Sequence, residues 1–426
     1  MLLELEIETL TFGGRGLGRF EGKAVFVAHT APGDRVRCRV TQNRRQFAEA
    51  ELLDLIEPAP VRRVPPCPVA GVCGGCQWQH LPYKEQLRWK EQLFHEQLLR
   101  AGVATEDTLL PIVESPDEWG YRNRLQFKCR QTQAGFVAGF YRHASHYVTD
   151  APHCLLAMPA VHDCYAFLRA ILPHAPRPDA VPQMDVACGD DQTPAVLLHL
   201  LPGARDGMRA WLKEAAGRGG FAAAMQVGRK DSIEVVAGDG RLVTAVDEPA
   251  LSLQVSTGGF AQVNPSQNRS LVSAAVAAAQ LSGGERVLDL YCGVGNFTLP
   301  LARRSGQVVG VESYAPAIVD ARVNALKSGI DNVTFHAAPA EGAALAHGTF
   351  DLVLLDPPRT GAYPVMRELT ALRPRRIIYV SCDPLTLTRD LTVLVHNGYA
   401  VQSSRPFDFF PQTWHIESLT VLDRCD

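Results

Sequence analysis

The sequence predicts a multidomain protein with an all-β barrel at its start, an α+β middle portion and a C-terminal doubly wound α/β domain. Three observations predict this. Residues 1 to about 57 hold short strand-like runs between glycine and proline turns, a cysteine cluster follows a proline-rich linker, and strand and helix patterns alternate from about Phe260. At 426 residues the chain is long enough for two or three cores. Its 46% apolar and 20% charged residues are ordinary for a globular protein, and no apolar run reaches the length of a membrane span. The acidic, alternating start Met1-Leu2-Leu3-Glu4-Leu5-Glu6 lacks the basic end of a signal peptide, so a cytoplasmic protein is expected. A net charge of -3 argues against indiscriminate nucleic-acid binding and leaves room for a local basic face.

In the first segment the expected strands are Leu3 to Leu10, Ala24 to Ala28, Arg35 to Thr41 and Phe47 to Ile56. Period-two geometry puts Arg35, Arg37 and Arg39 on one face, with Val36, Cys38 and Val40 on the other. That arginine face suits either solvent or phosphate. The linker Pro58 to Pro66 ends the barrel.

Eleven cysteines, several in a tight pattern, fit metal binding and catalysis better than a disulfide framework. Cys67, Cys73 and Cys76 form C-x5-C-x2-C among glycines. Three thiolates need a fourth ligand. A structural zinc is one reading; the proline beside Cys67 and a distant fourth cysteine favour an iron-sulfur cluster. Cys154 is the expected fourth ligand, with Cys164 as its rival. Tyr83 to Ala101 reads as a packing helix with Leu87, Phe94 and Leu98 on one stripe and Gly102 as its stop. Residues 155 to 250 alternate helix and strand without a motif.

In the last segment Arg286 to Tyr291 is an expected strand, Cys292-Gly293-Val294-Gly295 a tight turn, and Asn296 onward a helix. The next strand, Gln307 to Val311, ends in Glu312, at the spacing where an acid binds ribose hydroxyls. Thr298 replaces the third glycine of a dinucleotide fingerprint, so no pyrophosphate cradle is expected. Phe350 to Leu355 leads into Asp356-Pro357-Pro358-Arg359, and the run Ile377 to Val380 stops at Ser381-Cys382-Asp383-Pro384. Such a run is a buried parallel strand, and ligands of open α/β sheets bind outside the carboxyl ends of these strands. Cys382 is therefore expected at the ligand edge. A final antiparallel strand after His415-Ile416-Glu417-Ser418 brings Glu417 to the same edge.

These motifs carry a family resemblance. Gly13-Gly14-Arg15-Gly16-Leu17-Gly18 with Ala31-Pro32-Gly33-Asp34 resembles the TRAM module, an OB-like RNA-binding barrel. Asp289-x-Tyr291-x-Gly293-x-Gly295 with Glu312 resembles class I S-adenosylmethionine methyltransferases, which have Rossmann-like domains. Adding Phe260-x-Gln262-x-Asn264, the Asp356 loop, Ser381 to Pro384 and His415 to Ser418, nearly the whole chain resembles the RNA 5-methyluridine methyltransferases of the RumA type. The resemblance implies a TRAM barrel over 1–58, a central iron-sulfur domain over 59–82 and 117–257, and a methyltransferase domain over 83–116 and 258–426. It implies that Gln262, Tyr291, Asn296, Glu312 and Asp356 contact S-adenosylmethionine, with Cys382 as nucleophile and Glu417 as base. Cys67, Cys73, Cys76 and Cys154 would hold a [4Fe-4S] cluster of structural role, and the helix after the cluster loop would pack on the C-terminal domain. The expected partner is RNA, 23S ribosomal RNA before transfer RNA, bound by a monomer with no membrane or DNA partner. Asp383 stands where this family more often has Asn, and Pro339 where a polar residue commonly contacts adenine.

The implied chemistry suits the residues. Carbon 5 of uracil becomes nucleophilic only after a thiolate adds at carbon 6, and a base must later remove the carbon 5 proton. A uridine in folded RNA must also be flipped out to be reached. Two rival readings are an exocyclic-amine methyltransferase, in which the Asp356 loop works and Cys382 is inert, and a non-enzymatic iron-sulfur RNA-binding protein.

Overall fold

The computed structural model describes residues 1–228 and 232–425. Strands β1 (Leu2–Leu10), β2 (Arg15–Phe20), β3 (Lys23–Ala28), β4 (Arg35–Asn43) and β5 (Phe47–Glu57) close into a barrel in the order β1-β2-β3-β5-β4. Strand β2 is missing from the sequence expectation because glycine weakens β propensity. Here the glycines permit close packing instead: a Cβ on Gly18 would stand 2.2 Å from the Glu6 carbonyl oxygen, and one on Gly16 2.2 Å from the Thr30 hydroxyl. The arginine face of β4 is not an open phosphate stripe. Arg37 pairs with Glu4 at 2.8 Å, Arg39 with Glu51 at 2.6 Å and Arg35 with Glu57 at 3.2 Å.

After the cysteine loop comes α1 (Tyr83–Arg100). Its Phe94 and Leu98 are buried in the same core as Leu387, Leu391 and Tyr399 of the C-terminal part. The expected stripe is only partly right, since Gln86 and Lys90 are buried while Leu87 is only half buried. Period counting assigns polar residues outward. Here Lys90 Nζ meets Asp408 at 2.6 Å, both side chains fully buried, and the Gln86 amide donates to the Leu81 and Trp78 carbonyls. Buried polar groups of this kind need partners, and a distant segment supplies one here.

The middle portion comprises β6 (Arg124–Thr132), β7 (Gly135–Tyr141), β8 (Val148–Asp150), α2 (Pro159–Ile171), β9 (Gln183–Cys188), β10 (Pro194–Leu200), α3 (Arg205–Gly219), β11 (Ala222–Val227) and β12 (Ile233–Ala237). Its strands form one seven-stranded sheet, β12-β11-β10-β9-β6-β7-β8. Leu125, Phe127, Met184, Val186, Val196 and Leu198 bury one face of it in a core shared with α2 and α3. A hairpin of β13 (Leu242–Val246) and β14 (Leu251–Val255) leads onward.

The C-terminal part runs α4 (Pro265–Ala279), β15 (Arg286–Leu290), α5 (Thr298–Ala302), β16 (Gln307–Glu312), α6 (Ala315–Lys327), β17 (Val333–Ala337), α7 (Ala343–Ala346), β18 (Leu352–Leu355), α8 (Tyr363–Leu372), β19 (Arg376–Ser381), α9 (Pro384–His396), β20 (Tyr399–Phe407) and β21 (Glu417–Arg424). The strand order is β17-β16-β15-β18-β19-β21-β20, parallel from β17 through β19. Strand β21 lies antiparallel between β19 and β20, as the sequence predicts. No helix among the described residues is long and apolar enough to cross a membrane.

Candidate active site

The parallel strands end together. Leu290 pairs with Val311 and Leu355, so Tyr291, Glu312 and Asp356 emerge at one edge of the sheet. Ser381 pairs with Ser418 across the antiparallel boundary, which carries Cys382 and Glu417, one residue beyond each, to that edge as well. Their adjacency follows from register alone. Asp383 caps α9, its Oδ1 accepting from the amides of Leu385 at 2.9 Å and Thr386 at 3.2 Å. An Asn oxygen would do the same, so the aspartate keeps the helix start and hence the position of Cys382.

Tyr291 has a positive φ of 65° as the chain turns off β15, followed by Gly293 and Gly295, also at positive φ. The turn leads to Asn296, whose amide exchanges hydrogen bonds of 2.8 and 3.0 Å with Asn268 of α4. Gln262 sits on the connection into α4, half buried and off the sheet edge itself. Glu312 Oε1 accepts from the Tyr314 amide at 2.7 Å, which fixes the carboxylate. Asp289 is fully buried, and Thr298 Oγ1 donates to its Oδ2 at 2.5 Å. Thr298, noticed in the sequence only as an absent glycine, thus orients the acid beneath the turn. The Oδ1 of Asp289 is buried without a partner among the described residues, as expected of a site shaped for a polar ligand.

Electrostatics divide the edge. Burial raises the Asp356 carboxyl to about 7. Burial raises Asp289 to about 7 as well, with Asp356 and Glu312 adding to the rise and Thr298 opposing it. Burial and then Asp356 hold Glu417 well above the usual carboxylate range. Burial first, and then Glu417, Asp356 and Asp383, push the Cys382 thiol up to about 12, with Arg359 opposing them. The sequence argument credits cysteine with a ready thiolate fraction. In the free protein the thiol keeps its proton, because carboxyls crowd it in a low-dielectric edge.

Arg359 is a residue whose role the sequence reading missed, although it stands in the Asp-Pro-Pro-Arg motif. Its guanidinium donates to His415 Nδ1 at 2.6 Å, and burial with Arg359 lowers that imidazole to about 3, so it stays a neutral acceptor. The loop bearing Arg359 is fastened to α9: Thr386 Oγ1 donates to the Arg359 carbonyl at 3.2 Å, and Arg389 donates to that of Thr360 at 2.9 Å.

The cysteine loop forms a second centre. Cys67, Cys73, Cys76 and Cys154 line one cavity of about 110 Å³, while Cys164 lies in the apolar core under the middle sheet. Gly74 must be glycine, since a Cβ there would stand 2.9 Å from the Tyr141 carbonyl oxygen. Among the described residues no three His, Cys, Asp or Glu side chains are grouped to hold a single metal ion. Burial first, with neighbouring cysteines adding to it, raises Cys76 to about 12 and Cys154 to about 11. The amides of Gln77 and Trp78 donate to the Gln412 carbonyl, so this loop abuts the segment leading to Glu417.

A glycine turn after the first strand, carboxyls along the edge and an N-terminal barrel agree with the expected class I S-adenosylmethionine-dependent RNA methyltransferase. Comparison with known proteins narrows the class. Residues 229–425 match the family described as tRNA (Uracil-5-)-methyltransferase, and residues 2–53 match the TRAM domain. A 23S rRNA (uracil(1939)-C(5))-methyltransferase RlmD of Alkalilimnicola ehrlichii is 39% identical, with 99% of this chain and 96% of that protein covered. The RlmD of Azoarcus sp. is 36% identical over 98% of this chain and 99% of its own. The crystal structure of Pyrococcus abyssi tRNA (uracil-54, C5)-methyltransferase with S-adenosyl-L-homocysteine superposes with a TM-score of 0.73 at 24% identity, covering 99% and 100% of the two chains. The chain belongs to the S-adenosylmethionine-dependent RNA uracil-C5-methyltransferase family.

Proposed function

We propose that this protein methylates carbon 5 of one uridine in 23S ribosomal RNA, with Cys382 as nucleophile and Glu417 as base. The observation that carries the reading is the Ser381 to Ser418 pairing, which sets a thiol and a buried carboxyl on neighbouring strand ends. Relatives that match end to end are named for uracil 1939 of 23S rRNA, which favours ribosomal over transfer RNA. Loss of this protein should remove one 5-methyluridine from 23S rRNA, and purified protein should restore it. Loss from transfer RNA instead would contradict the reading.

Bound S-adenosylmethionine supplies an electrophilic methyl group on a cationic sulfur. Gln262, Tyr291, Asn296, Glu312 and Asp356 hold it in this reading, and the unpaired Asp289 Oδ1 supports a polar ligand at the turn. Asp356, raised to about 7 and so partly ionised at neutral pH, faces the thiol and suits accepting its proton as the Sγ–C6 bond forms. Addition moves the C5–C6 π electrons onto the uracil carbonyl, and carbon 5 then takes the methyl group. Glu417 in its ionised form, which burial makes a strong proton acceptor, removes the carbon 5 proton; the electrons re-form C5–C6 and expel the Cys382 thiolate.

The raised carboxyls set a pH dependence. Asp289 and Asp356 bind protons more tightly folded than unfolded, so their contribution to stability is complete below about 3.8 and is lost as pH rises through about 7. A cationic donor offsets that loss, whereas the neutral thioether product does so less. The preference for S-adenosylmethionine over S-adenosylhomocysteine, measured by calorimetry, should grow about three- to tenfold between pH 6 and 8, within the tenfold that one pKa unit allows. A flat ratio would remove these carboxyls from donor recognition.

We further assign a structural [4Fe-4S] cluster to Cys67, Cys73, Cys76 and Cys154. Four thiols around one cavity are the donor set of such a cluster, and the Gly75 amide at 3.4 Å from Cys73 Sγ is a hydrogen bond suited to a thiolate ligand. Anaerobically purified protein should carry about four irons per chain, as that cluster type requires. Cys154→Ser should lose them and Cys164→Ser should not; zinc, or the reverse pattern, would overturn the assignment. The domain limits of 1–58, 59–82 with 117–257, and 83–116 with 258–426 remain our division, supported by the packing of α1 on the C-terminal core.

A further inference from the structure

The middle sheet packs one face under α2 and α3; on the other, Ala187 and Ala195 join the core of the C-terminal part, and polar and apolar side chains together meet the connection into α4. There a cavity of about 420 Å³ opens, bounded by Arg122, Arg124, Gln126, Asp185, His199 and Gln226 with the 258–261 backbone. Its volume falls within the roughly 300–1,000 Å³ of ordinary ligand sites. The strand registers align one row on this face: Lys128 faces Gln183, Gln183 faces His199, and His199 faces Gln226 across four adjacent strands, and of these His199 and Gln226 line the cavity. Asp185 in the neighbouring row accepts from Arg124 at 3.0 Å, Gln126 at 3.0 Å and Gln183 at 2.6 Å, which holds these side chains in place.

We propose that this cavity binds one unpaired nucleotide of the substrate RNA other than the target uridine. The inference rests on the RNA-methylating function proposed above. Three observations select this occupant. The Gln126 and Gln226 amides and the His199 imidazole on the cavity lining can meet the edge of a base, and Arg122 and Arg124 outnumber Asp185, which suits the attached phosphate. The cavity is also continuous with the reacting edge. Arg124 donates to the Gly259 carbonyl at 2.6 Å, three residues before Gln262, and the Asn123 amide donates to that of Val263 at 3.0 Å. On its other side the Arg122 guanidinium lies 5.4 Å from the Phe410 ring, Phe410 lies 5.9 Å from His415, and His415 accepts from Arg359. Arg122 Nε is buried with no partner among the described residues.

The test uses the full-length protein, Gln126→Ala and the double variant Gln126→Ala, His199→Ala, with RNA fragments trimmed one nucleotide at a time on each side of the target. On the long RNA the double variant should raise KM about tenfold, the scale of one lost base contact, with kcat at saturating RNA within about twofold. Trimming should abolish that difference at one particular nucleotide, and the exposed Gln126→Ala should show the same pattern at smaller size. An unchanged KM on long RNA, or a loss that persists on every fragment, would overturn the subsite. Should wild type bind the RNA but methylate none of it, the function proposed above fails, and the same trimming series read by equilibrium RNA binding still decides the subsite.

Discussion

Cys382→Ala should lower methyl transfer by roughly a millionfold, the scale of removing a covalent nucleophile, while donor affinity stays within about twofold. The separation follows from where the side chain stands. Of the groups proposed to hold the donor, Tyr291 and Asp356 follow β15 and β18, Glu312 ends β16 and Gln262 precedes α4, whereas Cys382 follows β19 at the boundary with the antiparallel strand. Removing its sulfur leaves the glycine turn, the Asn268 to Asn296 pair and the Thr298 to Asp289 bond in place. It also removes a thiol already crowded by carboxyls, so the variant should fold at least as readily. Single-turnover assays with labelled donor beside calorimetry make the comparison. Retained turnover would shift the account to methylation of an exocyclic amine by the Asp356 loop, in which the cysteine is only a strand cap.

Sequence reading reached the C-terminal sheet well because its signals are local. An apolar β-branched run, a glycine turn and a polar or reactive residue at each strand end (Tyr291, Glu312, Asp356, Cys382) fix the order of the edge residues, and the antiparallel last strand then places Glu417. It failed where close packing or distant partners decide. Strand β2 was hidden by glycines that exist for backbone contact with Glu6 and Thr30, and the inward side of α1 was hidden because the partner of Lys90 lies 318 residues away. The arginines of β4 had visible spacing but invisible partners, since Glu4 and Glu51 come from neighbouring strands. At the active site the residue types were legible, whereas the protonation of Cys382 was not, because it depends on burial beside Glu417 and Asp356.

Glu417→Gln should halt the reaction after the methyl group has moved. The amide cannot take the carbon 5 proton, so the C6–Sγ bond cannot break by elimination, and turnover should fall about 10²- to 10⁴-fold, the usual contribution of a positioned base. The amide also cannot become a carboxylate beside the thiol, so no charge at that position opposes thiolate formation. Addition should therefore proceed and the methylated adduct accumulate. The direct measurement is denaturing electrophoresis of Glu417→Gln incubated with labelled donor and 23S rRNA fragment. The account predicts a slow-migrating protein-RNA band that carries the methyl label, survives denaturant and disappears in the Cys382→Ala, Glu417→Gln double variant. Free methylated RNA released at a rate near wild type, with no such band, would contradict it.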